Sequence, residues 1–175
     1  AKTWQIPRTE QDQLALESHR KAAAAYDEGF FDDLVVEFRG LKRDNNVRRD
    51  TSLEKLAALK PSFDRQGTMT AGNSTPMTDG AAAVLLASEE WAKSRGLPVL
   101  AYLRYGKYAA VDFIDKEGLL MAPAYAVPRM LADAGMKLQD FDFYEIHEAF
   151  EAQVLCTLKA WQSAEFCRER LGLAQ

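Results

Sequence analysis

Cysteine and histidine are scarce in this chain, with two of each among 175 residues. There is no Cys-x-x-Cys pair, and His19 and His147 are too few for a zinc site of ordinary spacing, so no metal centre is expected. Cys156 and Cys167 fall in a helix-rich tail. Without a secretory signal they are expected to be free thiols rather than a disulfide. No apolar run approaches the roughly 18 residues that a membrane span needs. Positive charge is not in excess: 22 basic against 26 acidic residues leave a net charge of −4, which argues against a nucleic-acid or anionic-membrane surface. Ala1-Lys2-Thr3-Trp4 has neither an initiator Met nor an apolar leader and reads as a cut rather than a natural start. A cytoplasmic location is expected. What is present is ordinary for a soluble globular protein, with 47% hydrophobic and 27% charged residues. The length suffices for one good core or two small ones.

Patterning along the chain predicts alternating elements. Thr9 with an acid three residues on predicts a helix start. Leu14, Leu16, Ala22, Ala25 and Tyr26 then fit an amphipathic helix that Gly29 stops. Leu34 to Phe38 reads as a short strand. Thr51 followed by Glu54 predicts a second capping box, opening a helix from Leu53 to Leu59. From Gly67 to Gly80 the chain is small and polar, which fits either a surface linker or a loop whose amides and hydroxyls approach a ligand closely. Ala81 to Leu86 is a continuous apolar run that periodicity alone leaves between strand and helix. Helices are predicted over Glu89 to Ser94, Ala124 to Ala134, Glu148 to Trp161 and Glu165 to Leu171. Strands are predicted over Val99 to Tyr105 and Asp142 to Ile146. The alternation in the second half is that of an open α/β sheet.

The run Tyr144-Glu145-Ile146-His147-Glu148-Ala149-Phe150 places an imidazole where a predicted strand hands over to a helix. Ligands of open α/β sheets bind at such carboxyl ends of strands. Three ordered motifs now carry a resemblance. Thr70-Ala71-Gly72-Asn73 followed by Asp79-Gly80-Ala81-Ala82-Ala83 resembles the "TAGN…DGAAA" signature of thiolases. Ala122-Pro123-Ala124-Tyr125-Ala126-Val127-Pro128 is similar to that family's helix start, and His147-Glu148-Ala149-Phe150 to its "(N/H)EAF" motif. Leu59-Lys60-Pro61-Ser62-Phe63 precedes them as in the family. A His at the first position of the last motif resembles the degradative, β-oxidation branch; biosynthetic members more often carry Asn there.

The resemblance implies an α/β thiolase fold, a mixed sheet with layered helices, of which this chain is a part. Residues 1–80 would be a helix-rich segment with the CoA-binding loops, 81–96 the last strand and helix of the N-terminal half, and 97–175 the first part of the C-terminal half. The implied activity is acyl transfer between coenzyme A thioesters: thiolytic cleavage of a 3-ketoacyl-CoA to acetyl-CoA, or the reverse condensation. The substrates would be CoA and acyl-CoA, with no covalently bound cofactor, and the assembly a homodimer or homotetramer. His147 would anchor the water that donates to the thioester oxygen when an enolate forms, because a developing oxyanion needs donors aimed at it. Ser74 and Thr75 would lie beside the pantetheine arm, Phe150 would wall its channel, and Arg48 would sit near the adenine nucleotide, stacking on the ring or facing a phosphate.

The chain also departs from the family. The nucleophilic Cys segment would lie before Ala1, and the "GHP" His and second Cys after Gln175. Cys156 and Cys167 match neither catalytic position; Cys156 is expected in the core. Pro76 stands where the family usually has Gly. His19 is expected on a solvated helix face, and Glu148 at a helix start favours the macrodipole. Lys42, Arg43, Arg48 and Arg49 form either a solvated face or a phosphate-attracting cluster. Asn73 and Asp79 either shape their loop or touch ligand. An alternative reading is a non-catalytic CoA-binding or assembly module of a split thiolase-like protein. The "(N/H)EAF" motif argues against a ketoacyl synthase.

Overall fold

The computed structural model describes residues 1–114 and 117–173; the last two residues of the expected 97–175 segment, and 115–116 within it, lie outside the described residues. Among the described residues six α-helices order the chain: α1 (Arg8–Asp27), α2 (Leu53–Ala57), α3 (Glu89–Ser94), α4 (Pro123–Ala134), α5 (Glu151–Gln162) and α6 (Ala164–Glu169). None of the helices among the described residues is long and apolar enough to cross a membrane.

Local chemistry sets most helix ends. Ser52 caps α2 by accepting from the Lys55 N–H, one residue after the expected Thr51, and α2 stops at Ala57. Ser88 and Ser163 cap α3 and α6 in the same way. Gly135 closes α4 in the left-handed conformation, φ 65°, which costs glycine no Cβ clash. Helix α1 begins at Arg8 with Pro7 as its N-cap residue and makes no side-chain cap, so Thr9 lies inside the first turn.

The buried stripe of α1 differs from the amphipathic face expected from its leucines. It consists of Gln11, Asp12, Ala15 and Leu16. The reason is what the stripe meets. Its lower half packs on α2, where Ala15, Leu16 and Leu56 make a small apolar cluster. Its upper half packs on the polar loop 68–73, which needs donors and acceptors. There the Asn73 amide donates to Asp12 Oδ1 at 2.9 Å and to the Thr68 carbonyl at 3.2 Å, and accepts from the Thr70 N–H at 2.8 Å. Arg8 Nε donates to both Asp12 oxygens at 2.8–2.9 Å, and another guanidinium nitrogen of Arg8 donates to the Leu56 carbonyl. Asn73 is thus held as a builder of its loop. The larger core lies between α4, α5, α6 and the N-terminal turn, with Ile6, Met121, Ala124, Tyr125, Cys156, Ala160 and Phe166.

Gly72 lies where loop and α2 touch. A Cβ there would stand 2.5 Å from Leu59 Cδ1 and 2.7 Å from Leu56 Cδ2. Leu56 is buried, which limits how far its methyl can give way. Gly72→Val is therefore expected to destabilise the chain by about 1–3 kcal/mol, as overpacking does, read from the midpoint of urea unfolding; an unchanged midpoint would mean that α2 moves aside freely.

The expected strands are not formed. Among the described residues no strand ladder occurs, only isolated bridges pairing Phe38 with Leu41, Pro61 with Thr70 and Ser74 with Phe150. The runs 34–38, 81–86, 99–105 and 142–146 carry strand-like patterns, but a strand is completed by a neighbour that takes its N–H and C=O groups. Apart from the Phe38–Leu41 bridge these runs find none among the described residues, and most of their large apolar side chains stand in the open, Val84 at 85% and Leu100 at 92% exposure.

Candidate active site

The cleft begins with backbone pairing between two motifs far apart in sequence. The Thr75 N–H donates to the Ala149 carbonyl at 3.0 Å, and the Glu151 N–H donates to the Asn73 carbonyl at 3.2 Å. This pairing holds Phe150 extended, at φ −144°, ψ 133°. It explains why α5 starts at Glu151 and not at the expected Glu148. Glu148 consequently stands before the helix, where it accepts from the Ser18 hydroxyl of α1 at 2.6 Å. Its role is to tie the His147 loop to α1, a correction to the macrodipole reading.

Between α1, the loop after Gly72 and the 145–148 segment lies an open cleft of about 680 Å³, within the size range of small-molecule sites. Ser74, Thr75 and His147 all line it, so three of the expected site residues share one concavity. His147 is exposed to it. Phe150 does not line the cleft; its ring packs edge-on against Phe63, centroids 5.6 Å apart. Arg48 is exposed and outside the lining, but its backbone N–H donates to His19 Nδ1 at 3.2 Å.

His19 is not on a solvated face. It lines the cleft from α1, together with His147. The cause is the bond to Arg48, which folds the basic segment over the helix. Burial and the Arg48 charge hold its imidazole below the ordinary value, against the opposing pull of Glu148 and Asp44. Sequence alone showed only a His on a helix. Its placement required knowing that residue 48 returns to the same helix.

Glu151 is the site residue that sequence reading missed. A Glu in the first turn of a helix is ordinary and favourable while it is charged. Here the side chain lines the cleft yet is only 6% exposed. Burial, and secondarily the Glu148 carboxylate, push its acid up from 4.5 to about 8. The helix dipole contributes roughly 1 kcal/mol or less at such a position, too little to oppose a shift of that size. Glu151 therefore carries its proton at neutral pH.

Neither cysteine lines the cleft. Cys156 lies in the apolar core with its thiol pushed up by burial, and Cys167 donates to the Trp161 carbonyl. Both are free thiols. The arrangement can bind a ligand and present an imidazole to it, but it brings no thiol nucleophile to the cleft. Among the described residues no group of three or more His, Cys, Asp or Glu side chains is placed to hold a metal ion.

The thiolase N-terminal domain family matches residues 1–90 and the thiolase C-terminal domain family residues 97–171. A 3-ketoacyl-CoA thiolase of Pectobacterium carotovorum is 49% identical over 98% of this chain, and one of Yersinia pestis 47% over all of it. The chain spans only 40–41% of the length of these relatives. The crystal structure of the Bacillus anthracis acetyl-CoA acetyltransferase superposes with a TM-score of 0.78 at 38% identity, covering 94% of this chain and 43% of that one. The dimeric peroxisomal thiolase of Saccharomyces cerevisiae superposes with a TM-score of 0.77 at 36% identity, covering 99% and 42%. Its fold is that of part of a thiolase, and the chain belongs to the thiolase family.

Proposed function

We propose that this chain supplies the CoA-binding and oxyanion-stabilising portion of a thiolase that transfers acyl groups between CoA thioesters, cleaving a 3-ketoacyl-CoA to acetyl-CoA and a shortened acyl-CoA or running the reverse condensation. The observation that supports this reading most is the Ser74–Phe150 bridge. It brings the small-residue loop and the His147 motif to one cleft across more than seventy positions of sequence. His147 holds the water that donates to the enolate oxygen. Ser74 and Thr75 receive the pantetheine arm. Arg48 and the basic residues around it attract the nucleotide. Phe150 acts indirectly, fixing the wall by its packing on Phe63.

The segments 1–80, 81–96 and 97–175 then correspond to the loop-bearing segment, the close of the N-terminal half and the opening of the C-terminal half. The open apolar runs at 81–86 and 99–105 pair with strands supplied by the rest of the enzyme. We place that enzyme in the cytoplasm, in fatty-acid degradation, as a homo-oligomer with no covalent cofactor.

The test separates binding from turnover. The 175-residue chain is expected to bind acetyl-CoA in a calorimetric titration yet to show no thiolysis of acetoacetyl-CoA, because neither Cys156 nor Cys167 reaches the cleft. Turnover is expected once the chain is joined to the thiolase regions that its relatives possess. Turnover by the chain alone would disprove the assignment of roles, and failure to bind acetyl-CoA would disprove the cleft.

A further inference from the structure

Two polar atoms in the cleft wall are buried without any hydrogen-bond partner: Ser74 Oγ and Glu151 Oε2. They belong to adjoining backbone, since the Glu151 N–H bonds to the carbonyl of Asn73, the residue before Ser74, and Ser74 bridges Phe150, the residue before Glu151. Burying a carboxyl group without a partner costs several kcal/mol at about the scale of an unpaired polar group or more. An unpaired buried polar group in a cleft wall calls for a partner, and a molecule entering the cleft can supply one.

We propose that Glu151, beside Ser74, is a ligand-binding residue whose carboxylic acid O–H donates a hydrogen bond to a carbonyl oxygen of the bound acyl-CoA, either a pantetheine amide or the thioester. The inference rests on the reading of the cleft as an acyl-CoA site. The surroundings fit a neutral donor and not an anion. On the cleft side the titratable neighbours are Glu145, His147 and Glu148 from the segment before α5 and His19 from α1. Asp12 of α1 is taken up by Arg8 and Asn73. The 72–76 loop contributes hydroxyls only. Helices α4 and α6 pack on the opposite, apolar side of α5 through Ala124, Tyr125 and Phe166, and bring no charge to the cleft lining. No cation lines the cleft that would hold Glu151 ionised, and its proton is retained until about pH 8.

The sign of the pH effect follows. The acid form donates and binds; above its titration the anion faces the carbonyl oxygen and binding weakens. Acetyl-CoA and S-ethyl-CoA, a thioether without the thioester carbonyl, are titrated into the full chain and its Glu151→Ala and Glu151→Gln variants at pH 7 and pH 9, with circular dichroism to confirm folding. For the parent, affinity for acetyl-CoA is expected to fall roughly 3- to 10-fold between the two pH values, the scale of one lost hydrogen bond. Glu151→Ala should show the same loss already at pH 7. Glu151→Gln, which keeps a neutral donor, should hold the parent's pH 7 affinity at both. If S-ethyl-CoA behaves likewise, the partner is a pantetheine amide; if only acetyl-CoA responds, it is the thioester. A parent affinity independent of pH, or a Glu151→Ala that binds acetyl-CoA at pH 7 as tightly as the parent, overturns the inference while leaving the cleft intact. Failure of the folded parent to bind either probe at pH 7 overturns both.

Discussion

Replacing His147 by alanine is expected to lower the thiolysis rate of the enzyme carrying this segment by about 100-fold or more, with acyl-CoA affinity changed by no more than about threefold. The magnitude is that of one lost donor to a developing oxyanion, typically 10²–10³ in rate. The split between rate and affinity follows from the geometry. His147 stands at the exposed end of the 142–147 segment, facing the cleft, while the wall on the Ser74 and Thr75 side is held independently by backbone bonds to Ala149 and Glu151. Removing the imidazole leaves that wall standing. An interaction made only when the oxyanion forms lowers kcat and kcat/KM together without raising KM. His147→Asn should recover most of the rate, since an amide can anchor the same water and the wider family resemblance includes members with Asn at this position. The measurement is steady-state thiolysis of acetoacetyl-CoA and of a longer ketoacyl-CoA. A turnover number unaltered in His147→Ala would remove the residue from the chemistry.

The second large effect is expected at Asn73. Its side chain makes three hydrogen bonds, two of them buried, and one of those goes to the carboxylate of Asp12. Asn73→Ala leaves the Thr70 N–H without its acceptor and takes one of the donors from Asp12, whose remaining partner is Arg8. Groups left buried without partners cost about 1–3 kcal/mol each, more when charged, so a total of roughly 2–4 kcal/mol is expected, given that such terms within one network are not additive. Asn73→Asp should be at least as damaging, because it sets a second carboxylate against Asp12 where the amide donated. The consequence reaches the site. Asn73 also gives its carbonyl to the Glu151 N–H, so loss of the loop's shape loosens the seam between Ser74 and Phe150 and weakens acetyl-CoA binding. Thermal unfolding and a binding titration measure the two effects. If stability falls while affinity holds, the loop is not what shapes the cleft.

Helices and motifs were legible because their causes are local. Gly135 in the left-handed region and the apolar spacing that buries Ala152 and Cys156 on α5 act within a few residues of themselves, whereas the cap of α2 is Ser52 where the pattern pointed to Thr51, and the serine caps of α3 and α6 were not read. The motif around His147 and the small-residue loop were likewise readable as residue types, and with them the family. Four things were not legible. The inward face of α1 is polar because a loop some sixty positions later lies against it. His19 joins the cleft because the Arg48 N–H reaches its ring. Helix α5 starts late because Asn73 and Thr75 claim the backbone of 149–151. Glu151 keeps its proton because the fold removes water from a carboxyl that any helix would accept as an exposed anion. The strand-like runs belong with these: alternation of side chains describes one edge of a pair, and the neighbour that completes it is a matter of tertiary structure. Sequence settled what depends on covalent neighbours: most of the helical segments, the glycine stop of α4 and the motifs that carry the family. Burial, titration and the meeting of distant loops are properties of space, and only the folded chain decided them.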